Sequence, residues 1–183
     1  MCRRGAVVAF CIILFQFYWK TNRAYGNNSN LTTKVKAAFL YNFTRFVEWP
    51  ADKLDKEYPF INISIVGKDT FGTILNAFAK KKVKGHGIRI ERFTDFMETS
   101  HAHLIYISKS EEQNLEAVLT HFKGSGALTV SDIKSFANRG GMIGLLVKRG
   151  KVKLEINLEA AREEGLKINA KLLKMATIVS KSN

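Results

Sequence analysis

Residues 138–179, NRGGMIGLLVKRGKVKLEINLEAAREEGLKINAKLLKMATIV, constrain the fold more tightly than any other stretch. Met142 to Val147 is apolar apart from Gly144, the pattern of a strand buried on both faces. Lys148 to Lys151 is charged and contains Gly150, which suits a hairpin turn. Val152, Leu154 and Ile156 then alternate with Lys153, Glu155 and Asn157, so the second strand has one wet side and belongs near a sheet edge. Asn157 is placed to cap a short helix that Gly165 ends. Asn169 is placed to cap a last helix burying Leu172, Leu173, Ala176 and Val179.

Upstream, Thr32 or Thr33 opens a helix in which Val35, Ala38, Phe39, Phe43, Phe46 and Val47 recur at helical spacing. Pro50 stops it near Trp49. Tyr41, Arg45 and Trp49 suit a docking surface, and Trp49 equally suits a plug at the base of the core. Strands are expected over Pro59–Val66, Ile88–Phe93, Leu104–Ile107 and Ala127–Val130. Helices are expected over Phe71–Phe78 and Glu111–Phe122. Strand, helix, strand thus recurs twice, which argues parallel crossovers and a sheet covered on both faces. The expected fold class is α/β: a three-layer α/β/α sandwich with a mixed sheet of about six strands and a C-terminal hairpin and helix.

The chain has 183 residues, 46% of them hydrophobic, enough for one domain with a substantial core. Residues 1–26 read as a secretory signal and 27–183 as the single domain. Arg3 and Arg4 precede an apolar run from Ala6 to Trp19, and Ala24-Tyr25-Gly26 offers small residues for cleavage. The run is shorter than the roughly 20 residues of a spanning helix, though Tyr18, Trp19 and Lys20 also suit an uncleaved anchor at a membrane interface. Either way the domain is exported. Both cysteines, Cys2 and Cys11, fall inside the leader, so the domain must hold together without disulfides.

The net charge is +13, with four of the positive charges, Arg3, Arg4, Lys20 and Arg23, in the leader. A basic exported domain suits contact with anionic envelope surfaces. Nucleic acid is not expected: no aromatic residues interleave the one basic run, Lys80-Lys81-Lys82 with Lys84, which reads as a solvated helix end. No catalytic constellation emerges. The spacing of a nucleophile elbow is absent. His101 and His103 lack a third ligand nearby, so no metal and no cofactor are expected, and histidines at a strand entrance default to the surface. Gly67, Lys68, Ser108, Ser131 and Asp132 are expected at the carboxyl ends of strands, where open α/β sheets hold ligands, so a small-molecule sensor or binding protein is one functional reading.

Two blocks carry a family resemblance. One is Lys36-Ala37-Ala38-Phe39-Leu40-Tyr41-Asn42-Phe43 through Phe46-Val47-Glu48-Trp49-Pro50. The other is Gly140-Gly141-Met142-Ile143, Leu154-Glu155-Ile156-Asn157-Leu158, Ala160-Ala161-Arg162, Gly165-Leu166-Lys167-Ile168 and Leu172-Leu173. In order and spacing these resemble the YfiR family over nearly everything after about residue 31. The resemblance implies a non-catalytic periplasmic regulator that binds and represses the periplasmic sensor domain of an inner-membrane diguanylate cyclase, and so controls cyclic di-GMP and biofilm formation. It also implies homodimers. Relatives can carry disulfides, which this sequence lacks. The partner-binding surface is expected on the hairpin and following helix, at Leu154, Ile156, Glu163, Leu166 and Ile168, for the density of apolar residues beside charge. Leu154 and Ile156 equally suit packing against the last helix.

Overall fold

A computed structural model describes residues 29–54, 59–148 and 151–182. The leader with Cys2 and Cys11, part of the charged loop before Pro59, and the hairpin turn at Arg149 and Gly150 lie outside the described residues.

Helix α1 runs over residues 29–46. It passes directly into β1 (Val47–Glu48), before Pro50. The remaining strands are β2 (Phe60–Val66), β3 (Lys82–Val83), β4 (His86–Phe93), β5 (Leu104–Ile107), β6 (Leu128–Ser131), β7 (Ile143–Lys148), β8 (Lys151–Asn157), β9 (Lys167–Ile168) and β10 (Ala176–Val179). Helices α2 (Leu115–Phe122), α3 (Leu158–Glu163) and α4 (Ala170–Leu173) complete the set. Eight strands form one mixed sheet in the order β10-β8-β7-β6-β5-β2-β4-β3. From β7 through β4 the pairings are parallel, β7–β8 is an antiparallel hairpin, and β10 lies parallel to β8.

The central strands sort their side chains by period two. Ile61, Ile63, Ile65, Leu104, Tyr106, Leu128, Val130, Ile143 and Leu145 join Ala37, Leu40 and Phe43 of α1 in the larger core. Val66, Ile105 and Ile107 face the other way and meet Leu115, Val118 and Phe122 of α2, with Ile133 and Phe136. Both faces are therefore covered, as a parallel sheet requires.

The two ends of the domain meet. β1 pairs antiparallel with β9, Val47 opposite Ile168. Asn169 donates its backbone N–H to Phe46 O at 2.8 Å. Trp49 is buried as a plug and donates Nε1–H to His103 O at 2.9 Å.

Three expectations need correction. The segment after β2 forms a 3₁₀ helix, Gly72–Ala77, and not a longer α-helix. Lys80 and Lys81 therefore sit in a turn and Lys82 on an edge strand, away from any α-helix end. The last helix stops at Leu173, and Ala176–Val179 is a strand. The apolar residues there repeat at helical spacing, but Thr177-Ile178-Val179 is a run of β-branched side chains that favours a sheet edge.

The glycine pair after α2 has two separate causes. Gly140 has φ +102°, in the region that favours glycine. Gly141 lies against the buried Phe136 ring, and a Cβ there would stand 2.1 Å from Phe136 Cε1. Gly141→Ala is expected to cost about 1–3 kcal/mol by overpacking. The check is the urea midpoint, and Phe136→Leu in the same background should recover part of the loss.

Candidate functional site

At the carboxyl edge of the sheet the five crevice residues are drawn into the fold. Gly67 follows β2, and a Cβ there would come within 2.3 Å of Ser110 Oγ. Lys68 donates its backbone N–H to Ser110 Oγ at 2.9 Å. Ser131 donates to Ile107 O at 2.6 Å and accepts from Ile133 N–H at 3.0 Å. Ser108 is buried, and its Oγ has no hydrogen-bond partner. Asp132 bridges two layers: Oδ1 accepts from Tyr106 Oη–H at 2.7 Å, and Oδ2 accepts from Lys36 Nζ of α1 at 2.5 Å. Burial raises the Tyr106 phenol far above its ordinary value, and the Asp132 carboxylate beside it adds to the effect. Tyr106 is thus a fixed donor, and Ser131 and Asp132 are committed to hydrogen bonds within the fold.

A second polar knot lies at the opposite edge. His103 is buried at the entrance to β5, where the sequence suggested an exposed position. Asn62 N–H donates to its Nδ1 at 3.1 Å, and Nε2 lies 2.8 Å from Lys53 O. A carbonyl only accepts, so Nε2 carries the proton and Nδ1 does not. Both ring nitrogens are occupied, which removes His103 as a metal ligand beside His101. Among the described residues no group of three His, Cys, Asp or Glu side chains is arranged to hold a metal. Burial is the main cause lowering the His103 pKa; the bond to Lys53 opposes it and nearby His86 adds to it.

The expected partner surface is corrected in part. Leu154, Ile156 and Leu166 are 2%, 0% and 2% exposed and belong to the larger core. They share that core with Leu172 of α4, so Leu154 and Ile156 follow the alternative of packing against the last helix. Glu163 is exposed and Ile168 half-buried, so these two remain on the surface. The sequence reading missed Met175 and Ile178, which are 61% and 51% exposed at this margin, and Val147 on β7, 42% exposed. The signal for Ile178 was the β-branched run itself.

The surface also carries hollows of about 390, 470 and 680 Å³. None is lined by Gly67, Lys68, Ser108, Ser131 or Asp132. The 470 Å³ hollow lies between α2 and α3, with Phe122 and Met142 among its apolar walls and Arg139, Glu163 and Lys181 among its charged ones.

A family model described as YfiR/HmsC-like matches residues 33–177. No curated protein matches the sequence. Among solved structures, the ABC domain in complex with L-Trp from Streptococcus pneumonia aligns with a TM-score of 0.49 at 12% identity, over 64% of this chain and 55% of that one. CD0873, a substrate binding protein with adhesive properties from Clostridium difficile, aligns in its ligand-free, open structure with a TM-score of 0.48 at 8% identity, over 66% and 55%. A conserved domain protein from Vibrio cholerae aligns with a TM-score of 0.49 at 15% identity, over 64% and 54%. This chain thus spans about half the length of these structures.

Two outcomes follow from the polar knots. Asp132→Ala leaves Lys36 and Tyr106 without their acceptor. It should cost about 2–3 kcal/mol, below the roughly 3–5 of a fully buried pair because both side chains keep some solvent contact. Lys36→Met with Asp132→Asn should recover most of that in chemical denaturation. For His103, the folded pKa lies below the ordinary 6.5, so the unfolded chain takes up the proton first. Stability should fall as pH drops through about 6.5 toward the folded value, and His103→Asn should flatten that fall in melting curves between pH 8 and 5.

Proposed function

We propose that this chain, which belongs to the YfiR/HmsC-like family, is a non-catalytic regulator that binds and represses the periplasmic sensor domain of an inner-membrane diguanylate cyclase. The family is one of periplasmic regulators, and the match over residues 33–177 is the observation that carries the reading. Export through residues 1–26 is part of the proposal. No described helix is long and apolar enough to cross a membrane.

Such a protein acts by favouring one state of its partner. Holding an evenly poised cyclase 99:1 in its inactive state needs about 2.7 kcal/mol of preference, since 1.4 is tenfold. An interface of ordinary size, roughly 800 Å² a side, is sufficient. The surface we assign to it is in the C-terminal part of the chain, where Glu163 and Ile168 keep surface and Met175 and Ile178 are exposed. Pairing as a homodimer, and contact of the lysine-rich β3 edge with anionic envelope surfaces, belong to the same reading.

The alternative reading, a small-molecule sensor, is favoured by one observation, the 470 Å³ hollow between α2 and α3. That hollow is lined by none of Gly67, Lys68, Ser108, Ser131 and Asp132. The regulatory reading predicts that deleting the gene raises cellular cyclic di-GMP, and that the purified chain co-elutes with the cyclase's periplasmic domain. Unchanged cyclic di-GMP together with separate elution would overturn it.

A further inference from the structure

The two edges of the sheet are unlike. At one end β3 is two residues long, and Lys80, Lys81 and Lys82 stand beside or on it, the usual defence of an edge against other chains. At the other end β10 is four residues long, Ala-Thr-Ile-Val, with no charge inside it. Its inner side pairs with β8, and among the described residues no strand pairs with its outer side. Thr177 and Ile178 are exposed. Among the described residues, two exposed large apolar side chains, Met175 and Ile178, stand just before and within this strand.

Charge surrounds this uncharged strand. From Gly165 to Asn183 the sequence holds Lys167, Lys171, Lys174 and Lys181 and no acid. Lys174 and Lys181 stand just before and just after the strand, both exposed. A second copy is a poor occupant. Antiparallel self-pairing centred between Thr177 and Ile178 would set Lys174 of each chain opposite Lys181 of the other, and like charges opposed across strands destabilise the pair.

We propose that β10 is an acceptor edge for an extended, acidic segment of a partner protein, which adds to the sheet as a ninth strand. Main-chain hydrogen bonds would supply affinity. Apolar residues on alternate positions would cover Ile178 on its face of the sheet, and carboxylates at the strand ends would meet Lys174 and Lys181. This deepens the regulatory reading by saying how the partner is held. The edge itself can be tested without the cyclase.

The probes are capped hexapeptides alternating Val with Glu and Val with Lys, and the full chain is the receptor. The acidic peptide should bind, weaken as salt rises, and slow amide exchange over residues 176–179. Lys174→Glu/Lys181→Glu should weaken it about tenfold, since two attractions become repulsions, and should leave the melting temperature near that of the parent. Equal binding of both peptides, binding of neither, or protection at another site overturns the proposal. So does self-association that protects the same amides, which would give the edge to a second copy. Exchange with the sensor domain separates the two readings. If that domain co-elutes while β10 stays unprotected, the edge fails and the regulator stands. If the acidic peptide binds β10 and the sensor domain does not co-elute, the edge stands and the choice of partner fails.

Discussion

Burial of the central strands on both faces governs the rest of the structure. Ile63, Ile65, Leu104 and Tyr106 point into one core, while Val66, Ile105 and Ile107 point into the other. Each such aliphatic side chain contributes about 1.5–3 kcal/mol when removed from water. No single layer can cover both faces, so α1 must lie on one side and α2 on the other. α2 is the crossover between the parallel neighbours β5 and β6, while α1 enters ahead of the first strand of the sheet. Pairing of β1 with β9 then brings the two sequence blocks of the family into direct contact, Val47 opposite Ile168.

Polar residues fill the places where these layers end. Asp132 ties α1 to the sheet through Lys36 and Tyr106. His103 ties the start of β5 to β2 and to the loop after Trp49. Glu164 accepts from the backbone N–H groups of Gly124 and Gly126 at 2.6 and 2.8 Å, joining the end of α3 to the turn after α2. Asn157 both caps α3 through Ala160 N–H and donates to Ala137 O. Within a domain that contains no cysteine, these bonds do the tying that disulfides perform in many exported proteins. Groups committed in this way hold the layers together.

The sequence made the strands and caps legible because their signals are local. Leu104–Ile107 is a short apolar run, and it is β5 to the residue. Asn157 and Asn169 were readable as caps, and both accept the expected backbone N–H. Residues 170–179 failed because two local signals disagree there: the apolar spacing fits a helix, while Thr177, Ile178 and Val179 fit a strand. A free place beside β8 decides the matter, and sequence spacing does not reveal it. Similarly, His103 looked like a surface residue, since its partners, Asn62 and Lys53, are both about 40 or more positions away.

The end of the last helix and the place of the hairpin in the sheet are linked. With a helix at residues 170–179, the hairpin strand β8 would be the sheet edge, and Leu154 and Ile156 would lie at an open margin. With β10 in place, Ala176 stands opposite Leu154 and Ile178 opposite Ile156, on the same face. The exposure expected of Ile156 is thus handed one strand outward, to Ile178, at the same level along the sheet. Apolar character at the margin is therefore conserved by the geometry even though the residue that presents it changes. The two edges of the sheet thus differ: the β10 edge stays uncharged after gaining a strand, while lysines flank the opposite one.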